Sequence, residues 1–217
     1  MKDLKQYIVN LRHDFSKSTL DESQLHNNPI NQFEEWFTRA VNIRAREPNA
    51  MMLSTVSPAN KPSARILLLR DFSEKGFVFF TNYESKKAKD LEVNPAGCLT
   101  FFWPELEQQV RIEGIISKLD DADSDTYFRM RARSSRLGAW ASNQSTIIAN
   151  RGVLDEKMKE VREKFGENEI PRPEFWGGYI LKPAYFEFWQ GRTSRLHDRL
   201  VYELEHENSW KIYRLAP

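Results

Sequence analysis

The sequence contains very little cysteine: Cys98 is the one cysteine among 217 residues. A single thiol cannot form an internal disulfide, and it cannot build a zinc site from several thiolates. The neighbours of Cys98 are Gly97, Leu99 and Thr100, a run that predicts a buried strand. We therefore expect a buried, inert thiol and no metal site.

Glycine is also scarce, with nine residues in the chain, and neither common nucleotide-binding motif occurs. The absence of G-x-G-x-x-G and of G-x-x-x-x-G-K-[ST] argues against a Rossmann fold and a P-loop enzyme. Any bound phosphate must then be held mainly by side chains. Basic residues stand in suitable places, because Arg65 opens a predicted strand and Lys86 and Lys87 open a predicted helix.

The chain has no excess of charge of either sign, because 32 Lys and Arg residues face 31 Asp and Glu residues. A net charge of +1 gives no electrostatic footprint for nucleic acid, although a local cluster of arginines at 129–136 could bind small anions. Charges interrupt every apolar run in residues 1–18, so the sequence lacks a signal peptide and a membrane span. These features predict a cytoplasmic protein that binds neither nucleic acid nor membranes.

Hydrophobic periodicity predicts an N-terminal arm over residues 1–28 and a single domain over residues 29–217. A helix is predicted at 29–46, and later helices at 84–93, 121–131, 135–142 and 155–165. Strands are predicted at 51–57, 65–71, 76–82, 97–103, 109–119, 179–190, 199–205 and 210–215. Many short strands with helices inserted among them predict a mainly β barrel with peripheral helices, an α+β fold.

The segment 187–199 is dense in residues that bind anions or titrate: Trp189, Arg192, Arg195, His197, Asp198 and Arg199. Arginine presents a planar fork of donors, and histidine titrates near neutral pH, so the segment favours an anionic substrate and proton movement. Strand alternation predicts that Arg195 and His197 share one face. The alternative is a solvated amphipathic strand without chemistry.

Several motifs resemble one family in its order along the chain. EFWQGR-x-SRLHDR and the terminal W-K-I-x-R-L-A-P resemble the C-terminal signature of the pyridoxine (pyridoxamine) 5′-phosphate oxidases. Further agreement comes from the segments ARILLLRDFSEKGFVFFTN, SKKAKDLEVNP, FFWPELEQQVRIEG, SSRLGAWASNQS and FWGGYILKP, with a shorter match at LRHDF. The resemblance covers most of the chain from about residue 30 onward.

This resemblance implies an FMN-binding split β-barrel that works as a homodimer with FMN at the interface. The FMN-binding residues that it implies are Arg65, Ile66, Leu67, Leu68, Leu69, Arg70, Phe80, Thr81, Lys86, Lys87, Gln109, Gln144, Ser145, Trp189 and Arg199. Taken alone, Lys86 and Lys87 would be read as a solvated helix start, and Trp189 as a core aromatic.

The resemblance also implies the reaction, which is oxidation of pyridoxine or pyridoxamine 5′-phosphate to pyridoxal 5′-phosphate. A hydride passes from C4′ of the substrate to N5 of the flavin, and dioxygen reoxidises the flavin to give hydrogen peroxide. Arg195 and His197 are the expected catalytic residues, and Asp198 is expected to be a structural partner. The implied substrate-binding residues are Arg12, His13, Asp14, Phe15, Arg70, Tyr127, Arg131, Ser135, Arg195, Leu196 and His197, with the arm closing over the substrate.

The chain departs from the family pattern at Arg70, Phe80, Lys86 and Thr193, where lysine, tyrosine, arginine and proline are usual. None of these departures reverses a charge, but an arginine in place of lysine changes the donor geometry. Two other functions stay open. One is a carrier or sensor that binds flavin or pyridoxal phosphate without catalysis, and the other is a flavin reductase that uses a nicotinamide cofactor.

Overall fold

The computed structural model describes residues 2–11, 14–206 and 209–217. The helices are α1 (Lys2–Asn10), α2 (Pro29–Asn42), α3 (Lys86–Val93), α4 (Asp121–Met130), α5 (Arg133–Ala141) and α6 (Gly152–Phe165). The strands are β1 (Ala50–Val56), β2 (Pro62–Leu68), β3 (Asp71–Ser73), β4 (Gly76–Asn82), β5 (Ala96–Trp103), β6 (Gln108–Lys118), β7 (Trp176–Gln190), β8 (Asp198–His206) and β9 (Ser209–Leu215). Among the described residues, no helix has the length and apolar character needed to span a bilayer.

The nine strands found among the described residues belong to one sheet. Its order is β2-β1-β5-β6-β7-β4-β3, and β8 pairs with β7 and with β9. The strands pair antiparallel in β1–β2, β3–β4, β4–β7, β7–β8 and β8–β9. The β3–β4 hairpin requires glycine at position 76, because φ is +135° there and a Cβ would lie 2.2 Å from the carbonyl oxygen of Leu181.

The chain divides into two compact units. Unit 1 comprises residues 1–48, 100–112 and 185–217, and unit 2 comprises residues 49–99 and 113–184. In unit 1, the Asn28 side chain accepts a hydrogen bond from the Ile30 N–H at 2.8 Å and so caps α2, which begins with Pro29. The apolar face of this helix is buried, with Phe33 edge-on to Phe101 at 5.0 Å and Trp36 edge-on to Phe188 at 5.2 Å.

Unit 2 has its own core. Leu53, Phe77 and Phe79 are completely buried on β1 and β4. A second cluster, which joins α4, α5 and α6 to the start of β7, consists of Phe128, Leu137, Phe165, Ile170 and Trp176. These helices position the loops that carry several of the predicted site residues.

The predicted elements agree with the structure, and β4 has the predicted bounds. Two short elements were not predicted, namely α1 and β3. Helix α2 ends four residues earlier than predicted, at Asn42, because Arg44 and Glu47 have φ values of +56° and +50°. The predicted burial of Cys98 is wrong, since this residue near the start of β5 is partly exposed.

Phe33→Ala should reduce the free energy of unfolding by about 3–5 kcal/mol, because it leaves a cavity in the unit 1 core. The matched control is Val41→Ala on the same helix, where the side chain is 47% exposed; its effect should stay below about 0.5 kcal/mol. Urea denaturation followed by circular dichroism measures both values. Equal effects from the two substitutions would contradict the assignment of the buried face.

Candidate active site

Unit 2 contains a buried lysine whose acceptors are all neutral. The Lys87 side chain lies at the start of α3, and the residue is 7% exposed. Its Nζ donates to Thr81 Oγ1 at 3.0 Å, Ser85 Oγ at 3.2 Å and Gln144 Oε1 at 2.5 Å. Burial, together with the nearby Arg65 charge, lowers the pKa of Lys87 to about 8. A cation in this setting is stabilised when an anion binds beside it.

The neighbouring cations have partners of their own. Lys86 is exposed and forms a salt bridge with the buried carboxylate of Asp90, with an Nζ–Oδ2 distance of 3.0 Å. Arg65 donates to the Leu53 carbonyl oxygen at 3.1 Å and to Thr55 Oγ1 at 2.8 Å. Burial lowers the pKa of Arg65. One carboxylate thus faces three cations in this cluster, so the local charge favours an anionic ligand.

A second cation, Arg131, lines a cavity of about 280 Å³ together with Ser135, Gln144 and Trp176. Its Nη1 atom is buried and has no hydrogen-bond partner among the described residues. The guanidinium lies 4.4 Å from the centroid of the Trp176 ring, which orients it by a cation–π contact. Burial lowers the pKa of Arg131, and the charge of Arg70 adds to the effect. An unpaired buried donor of this kind is suited to an oxyanion.

Four of the predicted substrate-binding residues line two cavities. Arg131 and Ser135 belong to the cavity just described. Arg70 and Tyr127 line a larger one of about 630 Å³, together with Phe80. The Tyr127 ring stacks on Phe80 with centroids 3.8 Å apart, and Phe80 stacks on Trp176 at 5.6 Å. This aromatic stack joins residues of β4, α4 and β7.

Unit 1 contains the predicted catalytic histidine. The His197 ring lies 4.7 Å from the Trp189 ring, centroid to centroid, and Phe15 meets both rings edge-on at 5.6 Å. The backbone N–H of Arg192 donates to His197 Nδ1 at 3.1 Å. In a neutral imidazole one nitrogen donates and the other accepts. The neutral ring therefore carries its proton on Nε2.

The prediction that Arg195 and His197 share a strand face is wrong. Thr193–Arg195 form a 3₁₀ turn, and the strand begins only at Asp198. Ser194 and Arg195 have φ values of +56° and +60°. The physical reason is that Gln190 of β7 pairs with Asp198 of β8 in antiparallel register, so the intervening residues must reverse the chain.

Asp198 has the structural surroundings expected from the sequence. Its Oδ2 accepts from the Leu20 N–H at 3.0 Å and from Arg192 Nη1 at 2.7 Å, and its Oδ1 accepts from Arg214 Nη1 at 2.7 Å. Burial alone would raise the pKa of Asp198, but these hydrogen bonds lower it overall. A carboxylate held by so many donors is a poor base.

A buried carboxylate that the sequence analysis missed holds Arg199. Glu187 is 3% exposed and accepts from Arg199 Nε at 2.9 Å and Nη2 at 3.1 Å in a fork-to-fork pair. Arg111 donates to the same carboxylate at 3.1 Å. The spacing of 76 residues between Arg111 and Glu187 explains why sequence patterns gave no signal.

The remaining predicted residues lie as follows. Residues 66–68 are on β2, and Leu69 and Arg70 follow this strand. Gln109 is on β6, and Ser145 lies in the turn after α5 with a φ of +72°. Leu196 is exposed in the turn before β8. Asp14 accepts a hydrogen bond from the Ser194 N–H at 3.3 Å. Arg12 and His13 lie outside the described residues. Trp176 was not predicted as a site residue, although it stands in the FWGGYILKP motif, which could have indicated it.

Comparisons with known proteins agree on one family. Residues 37–165 match the family model described as pyridoxamine 5′-phosphate oxidase, and residues 176–217 match the model described as the pyridoxine 5′-phosphate oxidase C-terminal dimerisation region. The pyridoxine/pyridoxamine 5′-phosphate oxidase of Trichormus variabilis is 51% identical, with 97% of this chain and 98% of that protein covered. The protein of the same name from Cupriavidus pinatubonensis is 52% identical, with 97% and 99% covered.

Two solved structures are similar in fold. PhzG from Burkholderia lata 383, in complex with tetrahydrophenazine-1-carboxylic acid, has a TM-score of 0.86 and 29% identity over 93% of this chain and all of that one. A pyridoxamine 5′-phosphate oxidase-related, FMN binding protein from Nostoc punctiforme has a TM-score of 0.68 and 18% identity over 89% of this chain and all of that one. The predicted α+β split-barrel fold is confirmed. The chain belongs to the pyridoxamine 5′-phosphate oxidase family.

Proposed function

We propose that this protein oxidises pyridoxine 5′-phosphate and pyridoxamine 5′-phosphate to pyridoxal 5′-phosphate with bound FMN. The relatives that are about 50% identical over nearly their whole length bear the name of this activity. The observation that carries the proposal is a pair of cationic groups beside Gln144. Lys87 donates to the Gln144 amide oxygen, and Arg131 lines a cavity with the same residue. Two phosphates, one on the cofactor and one on the substrate, match two such groups.

The chemistry of the Lys87 site fits the phosphate of FMN. A phosphate oxygen can replace the neutral acceptors of Nζ and satisfy the positive charge. The Thr81 hydroxyl, which now accepts from Lys87 at 3.0 Å and donates to Gln144 Oε1 at 3.3 Å, can turn its proton to the same phosphate. The Ser85 hydroxyl already donates to the Asn82 carbonyl oxygen at 2.7 Å. Arg65 adds a second positive charge close by. We therefore assign the FMN phosphate to Lys87, with Arg65, Thr81 and Gln144 around it.

Arg131 and Ser135 are then the residues for the phosphate of the vitamer. The buried Nη1 of Arg131 supplies a donor, and the Ser135 hydroxyl lies on the same cavity wall. Arg70 contributes long-range positive charge, since it lowers the pKa of Arg131. Tyr127, whose ring stacks on Phe80, adds an aromatic side chain to this group of residues. If the protein were a flavin reductase, the residues assigned to the vitamer phosphate would have no evident role.

When bound, FMN supplies the hydride acceptor and passes the electrons to dioxygen. The protein has to orient the pyridine ring, neutralise its phosphate and limit water at the reacting carbon. Arg195 is assigned to the substrate ring. Because the Arg192 N–H occupies His197 Nδ1, the neutral histidine presents Nε2–H as a donor. We assign this donor to the ring hydroxyl oxygen of the substrate, which makes His197 a hydrogen-bond donor and not a base.

We further propose a homodimer with FMN at its interface. The C-terminal match to a dimerisation region supports the assembly. Met52 and Ile66 are direct cross-strand partners on β1 and β2, with exposures of 37% and 66%, and an apolar pair of this kind is suited to burial by a second copy. In light scattering, a mass of about twice 25.6 kDa supports the dimer, and a mass of 25.6 kDa contradicts it.

The activity is tested with purified protein loaded with FMN and given each vitamer phosphate separately in air. Pyridoxal 5′-phosphate and hydrogen peroxide should appear in equal amounts from at least one vitamer. Bound flavin without either product would favour the carrier function. Oxidation of NADH in place of the vitamers would favour the reductase.

The affinity of the apo-protein for FMN should be level between about pH 7 and pH 8 and should weaken as the pH rises further. Lys87 loses its charge in that range, whereas a bound phosphate, dianionic above about pH 6, holds the lysine in its charged form. Lys87→Met should weaken FMN binding about 10- to 100-fold at pH 7 and abolish this pH dependence. Fluorescence titration measures the affinity.

Riboflavin is the control ligand for Lys87, because it lacks the phosphate and should respond neither to the substitution nor to pH in this range. Lys86→Met is the control variant and should cause a smaller loss, since Lys86 is exposed and already paired with Asp90. Unchanged FMN affinity in Lys87→Met would rule out the phosphate assignment.

The donor role of His197 is tested by comparing His197→Ala with His197→Gln. Alanine should lower kcat/KM about 10- to 100-fold, because it removes the hydrogen bond to the ring hydroxyl oxygen of the substrate and leaves that oxygen without its donor. Glutamine can place an N–H near the position of Nε2 and should recover activity to within about fivefold of the original protein. If glutamine is as defective as alanine in steady-state kinetics, the donor role of His197 is contradicted.

A further inference from the structure

The arm segment 14–25 is attached to the rest of unit 1 through backbone N–H groups. The N–H groups of Ser16 and Lys17 donate to one oxygen of Glu107, Oε2, at 2.9 and 3.0 Å. The Leu20 N–H donates to Asp198, as described above. Backbone donors that bind carboxylates form charge-assisted hydrogen bonds, which are stronger than bonds between neutral groups. These backbone hydrogen bonds do not depend on the side chains of the segment.

Glu107 is an unusual residue in two respects. It is 1% exposed, and burial of a carboxylate is unfavourable unless hydrogen bonds compensate for lost water. Its φ is +56°, a region that residues with a side chain seldom adopt. Its carbonyl oxygen accepts from the Gly191 N–H at 2.8 Å. Glu107 thus links the arm to the end of β7. Its strained backbone conformation directs the carboxylate toward Ser16 and Lys17 and the carbonyl oxygen toward Gly191.

Gly191 fixes where Phe15 can lie. A Cβ at position 191 would stand 2.7 Å from Cγ of Phe15, so the ring occupies the space that the missing side chain leaves. In that place Phe15 contacts both Trp189 and His197 edge-on. Because Ser16 and Lys17 follow Phe15 directly, the carboxylate of Glu107 determines the backbone position from which the Phe15 ring projects.

We propose that Glu107 is a positioning residue for the active site. It holds residues 15–17 in place before substrate binds, and Phe15 in turn fixes the rings of Trp189 and His197. This inference rests on the proposed function, since it takes His197 as a substrate-binding group. A segment fixed in advance lowers the entropy lost on substrate binding, so the contribution belongs to KM more than to kcat.

The test uses the full-length, FMN-loaded protein and Glu107→Gln, which preserves shape and removes the negative charge. Hydrogen exchange of the Ser16 and Lys17 amides should become about 10-fold faster, because one charge-assisted acceptor is lost. KM for the vitamer phosphate should rise about 3- to 10-fold with kcat within about twofold. The control is Lys17→Met, which removes the Nζ bond to the Glu105 carbonyl oxygen at 2.6 Å and preserves both N–H donors. It should match the original protein in both measurements.

Gly191→Ala provides a second variant that leaves Glu107 intact. The added methyl group displaces Phe15, and KM should rise as in Glu107→Gln while the two amides keep their slow exchange. Unchanged exchange in Glu107→Gln would overturn the proposal, and so would faster exchange with an unchanged KM. If the original protein oxidises neither vitamer, the proposed function fails, whereas slow exchange that Glu107→Gln accelerates would still support the attachment of the arm.

Discussion

Positive charge buried without a matching negative charge is the constraint on which the candidate site depends. The ammonium group of Lys87 is held by two hydroxyls and an amide oxygen, and these neutral acceptors compensate only in part for the water it has lost. The pKa of about 8 expresses this deficit in the free protein. A phosphate removes the deficit, and the same reasoning applies to the unpaired Nη1 of Arg131. On the proposed assignment, binding of the two phosphates would relieve this unfavourable arrangement.

Unit 1 uses the opposite arrangement. Its buried carboxylates, Glu107, Glu187 and Asp198, are all well supplied with donors. Each of them fixes another group: Glu187 orients the Arg199 guanidinium, and Glu107 and Asp198 hold the backbone of the arm. Carboxylates that accept this many hydrogen bonds are expected to be rigid and to fix the positions of the groups bonded to them. Unit 2 thus contains buried cations that an anionic ligand would stabilise, and unit 1 contains buried carboxylates that position other residues.

Apart from α1 and β3, the sequence predicted the order of the helices and strands, because turn residues and hydrophobic periodicity mark them; β4 has the predicted bounds, and the other elements differ at one or both ends by a few residues. It also predicted that Lys86 and Lys87 stand at the start of a helix, which is where α3 begins. It could not distinguish Lys86 from Lys87, since the rotation of that short helix against β1 decides which side chain is buried and which one pairs with Asp90. The alternation rule failed at Arg195 and His197, where the antiparallel pairing of β7 with β8 imposes a reversal. Glu107 accepts from the Ser16 N–H, 91 residues away, and Glu187 accepts from Arg111, 76 residues away, and local patterns carry no information over such distances. Arg199 is only 12 residues from Glu187, but the two meet through the pairing of β7 with β8.

The most direct test of the charge argument is a crystal structure of the protein with FMN bound. If Lys87 binds the FMN phosphate, a phosphate oxygen will lie within hydrogen-bond distance of Lys87 Nζ, and the Gln144 amide oxygen will be displaced from its present contact. A phosphate bound elsewhere, with Lys87 still donating to Thr81, Ser85 and Gln144, would contradict it.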